Sequence, residues 1–135
     1  MLKERRAAEL DWDNVAEEIE GLARSDRRSL KSFLENALVH MLELTYWETK
    51  RERNQRQWRD YLINARHEIT YIIEDSPSLG NYLVEVLDVT YQRARRRAEG
   101  LMGRQLAEKC QWTLDQVRSD TFYPDPAVPP RKHKR

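Results

Sequence analysis

Between Met1 and Gly100 the chain has a single proline, Pro77, and its only glycines are Gly21, Gly80 and Gly100, so very little in this stretch can stop a helix. The remaining prolines, Pro124, Pro126, Pro129 and Pro130, all follow Phe122. Charged residues are 35% of the 135 and apolar residues 39%, which suits amphipathic helices around one core. A chain of this size buries about two thirds of the surface it exposes when unfolded, so one domain over residues 1–123 needs neither a disulfide nor a metal. The expected fold class is all-α, an up-and-down bundle of about four main helices plus a short C-terminal helix.

Apolar residues recur at helical spacing. Asp11 and Asp13 can cap a first helix whose stripe is Trp12, Val15, Ile19 and Leu22. The same wheel puts Asp26 on that stripe, where an unpaired carboxylate is costly. Ser25 and Asp26 are therefore expected to break the helix, the alternative being one kinked continuous helix. A second helix carries Leu30, Phe33, Leu34, Ala37, Leu38, Met41 and Leu44 and should end near Trp47; so wide a face suits more than one neighbour. ETKRERNQRQ then reads as a polar connector. Trp58, Tyr61, Leu62, Ala65, Ile69, Ile72 and Ile73 define a third helix. Ser76 can cap a fourth with Pro77 in its first position, running through Leu79, Tyr82, Leu83, Val86, Val89 and Thr90 to Glu99 before Gly100 stops it. So short a loop predicts that these last two helices are antiparallel neighbours.

WTLDQV, from Trp112 to Val117, crowds an indole, a hydroxyl, a carboxylate and an amide into one turn. The pattern is a reciprocal capping box between Thr113 and Gln116, with Trp112 and Val117 as its hydrophobic staple, so a structural role is expected. The segment YPDPAVPPRKHKR is proline-rich and then basic, and residues 124–135 are expected to be a disordered tail. That tail carries Arg131, Lys132, Lys134 and Arg135 against Asp125, so the formal net charge of +1 hides a slightly acidic body. The single Cys110 makes no internal disulfide, no apolar run approaches the roughly 18 residues of a membrane span, and MLKERRAAEL has no apolar signal core. A cytoplasmic protein with no membrane partner is expected.

No complete catalytic constellation is present, and no catalytic residue, metal ligand or cofactor is assigned. There is no Glu-x-x-His pair, no phosphate-binding glycine loop and no Gly-x-Ser-x-Gly. Glu17, Glu18 and Glu20 could form a mononuclear metal site only if helix one met the flank of helix two at His40 and Glu43. Otherwise the acids complement a helix N-terminus and His40 makes an ordinary hydrogen bond. HEITY, from His67, lacks the second histidine of a zinc-protease motif. Nothing around Cys110 argues for a thiolate.

Two basic groups stand out. Arg51, Arg53, Arg56 and Arg59 flank Trp58, a combination able to stack on bases and hold phosphates, although Glu48 and Glu52 dilute it. Arg93 and Arg97 fall on the core-facing stripe of helix four and need carboxylates, for which Glu17, Glu18, Glu20 or Asp26 are the expected partners. With His40, these residues form a candidate polar cluster.

In order along the chain, DWDNVAEEIEGLARSDRRSLKS, HMLEL with Trp47 after it, WRDYL, DSPSL and CQWTLDQV resemble the recurring blocks of the bacterial domain-of-unknown-function family twenty-nine, over roughly residues 10 to 123. The resemblance implies a compact helical bundle and supplies no catalytic residue. The chain is shorter than that pattern between Tyr91 and Leu101. The favoured functional expectation is a non-enzymatic interaction or regulatory module with a protein partner, with a homo-oligomer also compatible. A nucleic-acid-associated, antitoxin-like regulator that binds weakly through the arginines and the tail comes second. A metal-dependent enzyme using the helix-one carboxylates and His40 comes third.

Overall fold

The computed structural model describes residues 2–127, with side chains from Asp13 onward. Three long helices, α1 (Leu2–Tyr46), α2 (Glu48–Asp75) and α3 (Leu79–Met102), precede a one-turn helix, α4 (Leu114–Arg118). The described residues contain no strand, so the fold is all-α. The expected start of a first helix at Asp11 or Asp13 is absent, because α1 runs from Leu2 through both. The side chains of Asp11 and Trp12 lie outside the described ones, and the basic tail from Arg131 to Arg135 lies outside the described residues.

Two further expected boundaries are absent. No break occurs at Ser25 and Asp26, because α1 is continuous through them. The break was inferred from a carboxylate facing a core, but Asp26 is only half-buried and the chain around it is largely exposed, so the penalty does not arise. ETKRERNQRQ is not a connector either. Glu, Lys, Arg and Gln are strong helix formers, and α2 begins at Glu48, with only Trp47 between it and α1. The expected second helix does end near Trp47. A corner this tight leaves the last carbonyls of α1 without helical partners. Arg51 reaches back from the first turn of α2 to supply donors, Nε to the Leu44 carbonyl at 2.9 Å and Nη2 to that of Thr45 at 3.0 Å. The Ala127 amide donates to the same Thr45 carbonyl at 2.8 Å, tying Pro124–Ala127 to the corner. Trp47 stacks on Trp58 across it, with ring centroids 5.6 Å apart.

The C-terminal half of α1 is the central helix. Ala37, Leu38, Val39, Met41, Leu42, Glu43, Leu44 and Thr45 are all buried, covering essentially the whole circumference. α2 packs against it with Trp58, Leu62, Ala65 and Ile69, and α3 with Leu79, Leu83, Tyr91, Ala94 and Ala98. α2 and α3 barely touch, so the expected close pairing of these sequence neighbours is replaced by a shared partner. At 1.5 Å per residue α1 is roughly 67 Å long, α2 roughly 42 Å and α3 roughly 36 Å. The two partners cannot cover all of α1, and its N-terminal part projects.

Between α2 and α3, Ser76 ends the former rather than capping the latter, its amide donating to Ile72, while Ser78 precedes Leu79. α3 runs past Gly100 and stops at Gly103, whose φ of 69° is a left-handed conformation that glycine adopts without steric cost. The α4 cap is formed as its sequence implies. The Gln116 amide donates to Thr113 Oγ1 at 3.1 Å, and the Thr113 amide donates to Gln116 Oε1 at 2.9 Å. Trp112 and Val117 are both buried in the core cluster.

Candidate functional site

The projecting part of α1 carries an uncovered apolar stripe. Val15, Ile19 and Leu22 are 43%, 60% and 65% exposed, where the sequence pattern implied a core face. Their spacing keeps them on one side of the helix. Ala16 and Ala23 flank the stripe, and Asp13, Glu17, Glu18 and Glu20 surround its first two turns, all exposed except the half-buried Ala23. No basic residue occurs between Asp11 and Gly21.

The candidate polar cluster does not assemble. Glu20 and His40 belong to one uninterrupted helix and are separated along it by about 30 Å, so Glu17, Glu18 and Glu20 cannot share a metal with His40 within one chain. His40 Nδ1 lies 2.6 Å from Glu43 Oε1, one turn away, and its ring is tilted over Tyr61 with centroids 5.1 Å apart. Among the described residues no group of three or more His, Cys, Asp or Glu is placed to hold a metal ion. His67 is exposed and 4.0 Å from Asp120. Burial pushes the Cys110 thiol up and outweighs the opposing backbone hydrogen bond at Trp112, while the thiol itself donates to the Trp112 carbonyl at 3.4 Å, so the thiolate is disfavoured.

Arg93 and Arg97 do come together, but on a different acid. Glu35 accepts from Arg93 Nε at 3.1 Å and from Arg97 Nη1 at 3.2 Å, and Arg97 Nη1 also donates to Asn36 Oδ1 at 2.9 Å. The expected partners, Glu17, Glu18, Glu20 and Asp26, lie further toward the free end of α1. Nor are the arginines buried, with side chains 63% and 50% exposed. The buried face of α3 turns toward Tyr91, Ala94 and Ala98, leaving Arg93 and Arg97 on the flank and Val89 in solvent. An ion pair this exposed is worth at most about 1 kcal/mol, not the several expected of a buried one.

The nucleic-acid candidates divide as well. Arg51 is consumed by the α1–α2 corner, whereas Arg53, Arg56 and Arg59 are exposed and line a broad groove on α2 with Tyr123. The Arg59 guanidinium lies 5.0 Å from the centre of the Tyr123 ring.

The sequence reading missed Arg66, the largest fully buried side chain. Its Nε donates to the Val117 carbonyl at 2.7 Å and its Nη2 to that of Gln116 at 3.1 Å, while the guanidinium lies 5.4 Å from the Tyr123 ring centre. It thereby supplies donors to the last carbonyls of α4 and pins that turn to α2. Burial pushes its pKa down from the ordinary arginine range, and Tyr123 and Asp120 push it back up. Its neighbours Ala65 and Ile69 mark it as core-facing, and that position was its only signal.

Taken together these features define an all-α scaffold with a central helix that is uncovered from Asp13 to Glu20. The chain belongs to the family described as domain of unknown function DUF29, whose model matches residues 1–123. No curated protein and no solved structure matches it. No described helix is long and apolar enough to cross a membrane.

Proposed function

We propose that the protein is a non-enzymatic interaction module that docks a protein partner through the projecting part of α1. The observation that carries this reading is the Val15, Ile19 and Leu22 stripe, exposed in a helix whose segment from Ala37 to Thr45 is almost entirely buried. An amphipathic helix presenting anchors at these spacings is suited to an apolar groove on another protein. The surrounding carboxylates, with no base among them, call for Lys or Arg on the groove's rim, which would steer encounter and make it salt-dependent. Capture from the native host with wild type and with an Ile19→Ser, Leu22→Ser double variant tests the reading. A specific protein should be retained by wild type, released by salt and lost from the double variant; undiminished retention by the variant would contradict the proposal.

A second reading, a nucleic-acid-associated regulator, draws on the α2 groove, where Arg53, Arg56 and Arg59 lie beside Tyr123 and offer phosphate contacts next to a stacking ring. It requires salt-sensitive RNA or DNA binding that fails when these three arginines become alanine.

A further inference from the structure

A cleft of about 380 Å³ opens between α1 and α3, lined by Arg28, Lys31, Ser32, Glu35, Thr90 and Arg93. Arg97, on the turn after Arg93, is held at its edge by the same Glu35. Both Glu35 oxygens are engaged by guanidinium groups, so the lone carboxylate orients two cations and is neutralised by them. Arg93 commits only Nε and Arg97 only Nη1, leaving their other N–H groups available. Among the described residues neither Arg28 nor Lys31 forms an ion pair. Four cations against one acid is a strong local excess in a body that is slightly acidic overall.

Thr90 supplies the independent observation. It lines the cleft yet is only 1% exposed, and its Oγ1 has no hydrogen-bond partner. A helical threonine commonly satisfies its hydroxyl on the carbonyl one turn back, and Thr90 does not. A buried, stranded donor in the wall of a cationic cleft is the arrangement expected where a ligand oxygen completes the bonding.

We propose that this cleft binds a small, multiply charged oxyanion of the phosphate class. Arg28, Lys31 and Arg93 serve as charge-assisted donors from two helices, and Thr90 is the neutral donor at the inner wall. The site is separate from the exposed stripe of α1 and does not depend on it.

Calorimetric titration of the full chain with inorganic phosphate and with pyrophosphate, at constant ionic strength, tests the site. Wild type should show saturable binding of one anion per chain, tighter for pyrophosphate. Thr90→Val should weaken that binding by about tenfold, the effect of losing one hydrogen bond to a charged group, while the unliganded variant melts no lower than wild type because no hydroxyl is stranded. Arg28→Ala, at an exposed position that leaves the core intact, should weaken binding by at least as much. Lys109→Ala, which removes an exposed cation outside the cleft, should bind as wild type does. The proposal is overturned by an absence of saturable binding in wild type, by full affinity in both Thr90→Val and Arg28→Ala, or by an equal loss in Lys109→Ala.

Discussion

From Leu30 to Thr45, α1 is enclosed by α2 on one side and α3 on the other, whereas from Asp13 to Leu22 no described part of the chain covers it. The halves share one backbone and similar apolar periodicity, but their environments differ. In the enclosed half apolar residues surround the helix: Val39 and Leu42 lie off the stripe that contains Leu34, Leu38 and Met41, yet all five are buried. In the free half they are confined to one stripe, with carboxylates beside it. An all-round apolar segment is buried by necessity, whereas a stripe states only that something covers it, and that something can be another molecule.

The contrast is broken most severely from the enclosed half. Leu42→Ala should cost about 3 to 5 kcal/mol in denaturant unfolding, because a cavity opens where two helices press on a third and neither can close it. A loss under about 1 kcal/mol would mean that this half is not the core. Arg66→Ala should cost about 3 kcal/mol, since two carbonyls lose their charged donor in a buried setting. Fluorescence of Trp112, beside the freed α4, should report the release, and an unchanged melt would remove Arg66 from the account.

Tyr91 sharpens the contrast through pH. Burial, first among the causes, pushes its pKa up to about 12, and its hydroxyl donates to the Ala107 carbonyl at 2.6 Å. The folded state favours the neutral phenol, so this contribution is complete below the ordinary tyrosine range near pH 10 and is lost as pH rises toward about 12. Stability followed through that window should fall more steeply in wild type than in Tyr91→Phe, and equal slopes would contradict the assignment. The smallest effect among these belongs to the exposed edge of the enclosed half, at Glu35. A double-mutant cycle of Glu35→Gln with Arg97→Ala should give a coupling of about 0.2 to 1 kcal/mol that weakens with salt. A coupling of 3 kcal/mol would restore the buried pair that the sequence suggested.

Much of the scaffold is readable from local rules. The Thr113–Gln116 cap and the all-α class follow from residue chemistry within one turn, and such signals survive into the fold. The boundary expected at Ser25 and Asp26 does not form, because a helix wheel identifies a face without identifying what lies opposite. ETKRERNQRQ is polar enough to suggest a loop, but helix propensity governs it. The acid that binds Arg93 and Arg97 depends on how far α3 slides along α1, and the face of α3 depends on Ala94 and Ala98 being small enough to meet it; neither quantity is local. Arg66 was invisible because a buried arginine is recognised by carbonyls some fifty residues away.

The central claim is that the Val15, Ile19 and Leu22 stripe serves a partner and not the core. Denaturant unfolding of the isolated protein carrying Ile19→Ser and Leu22→Ser tests it most directly. An unfolding free energy within about 0.5 kcal/mol of wild type is predicted, as for surface positions without structural contacts. A loss of 2 kcal/mol or more would show that the chain itself buries the stripe, and would contradict the account.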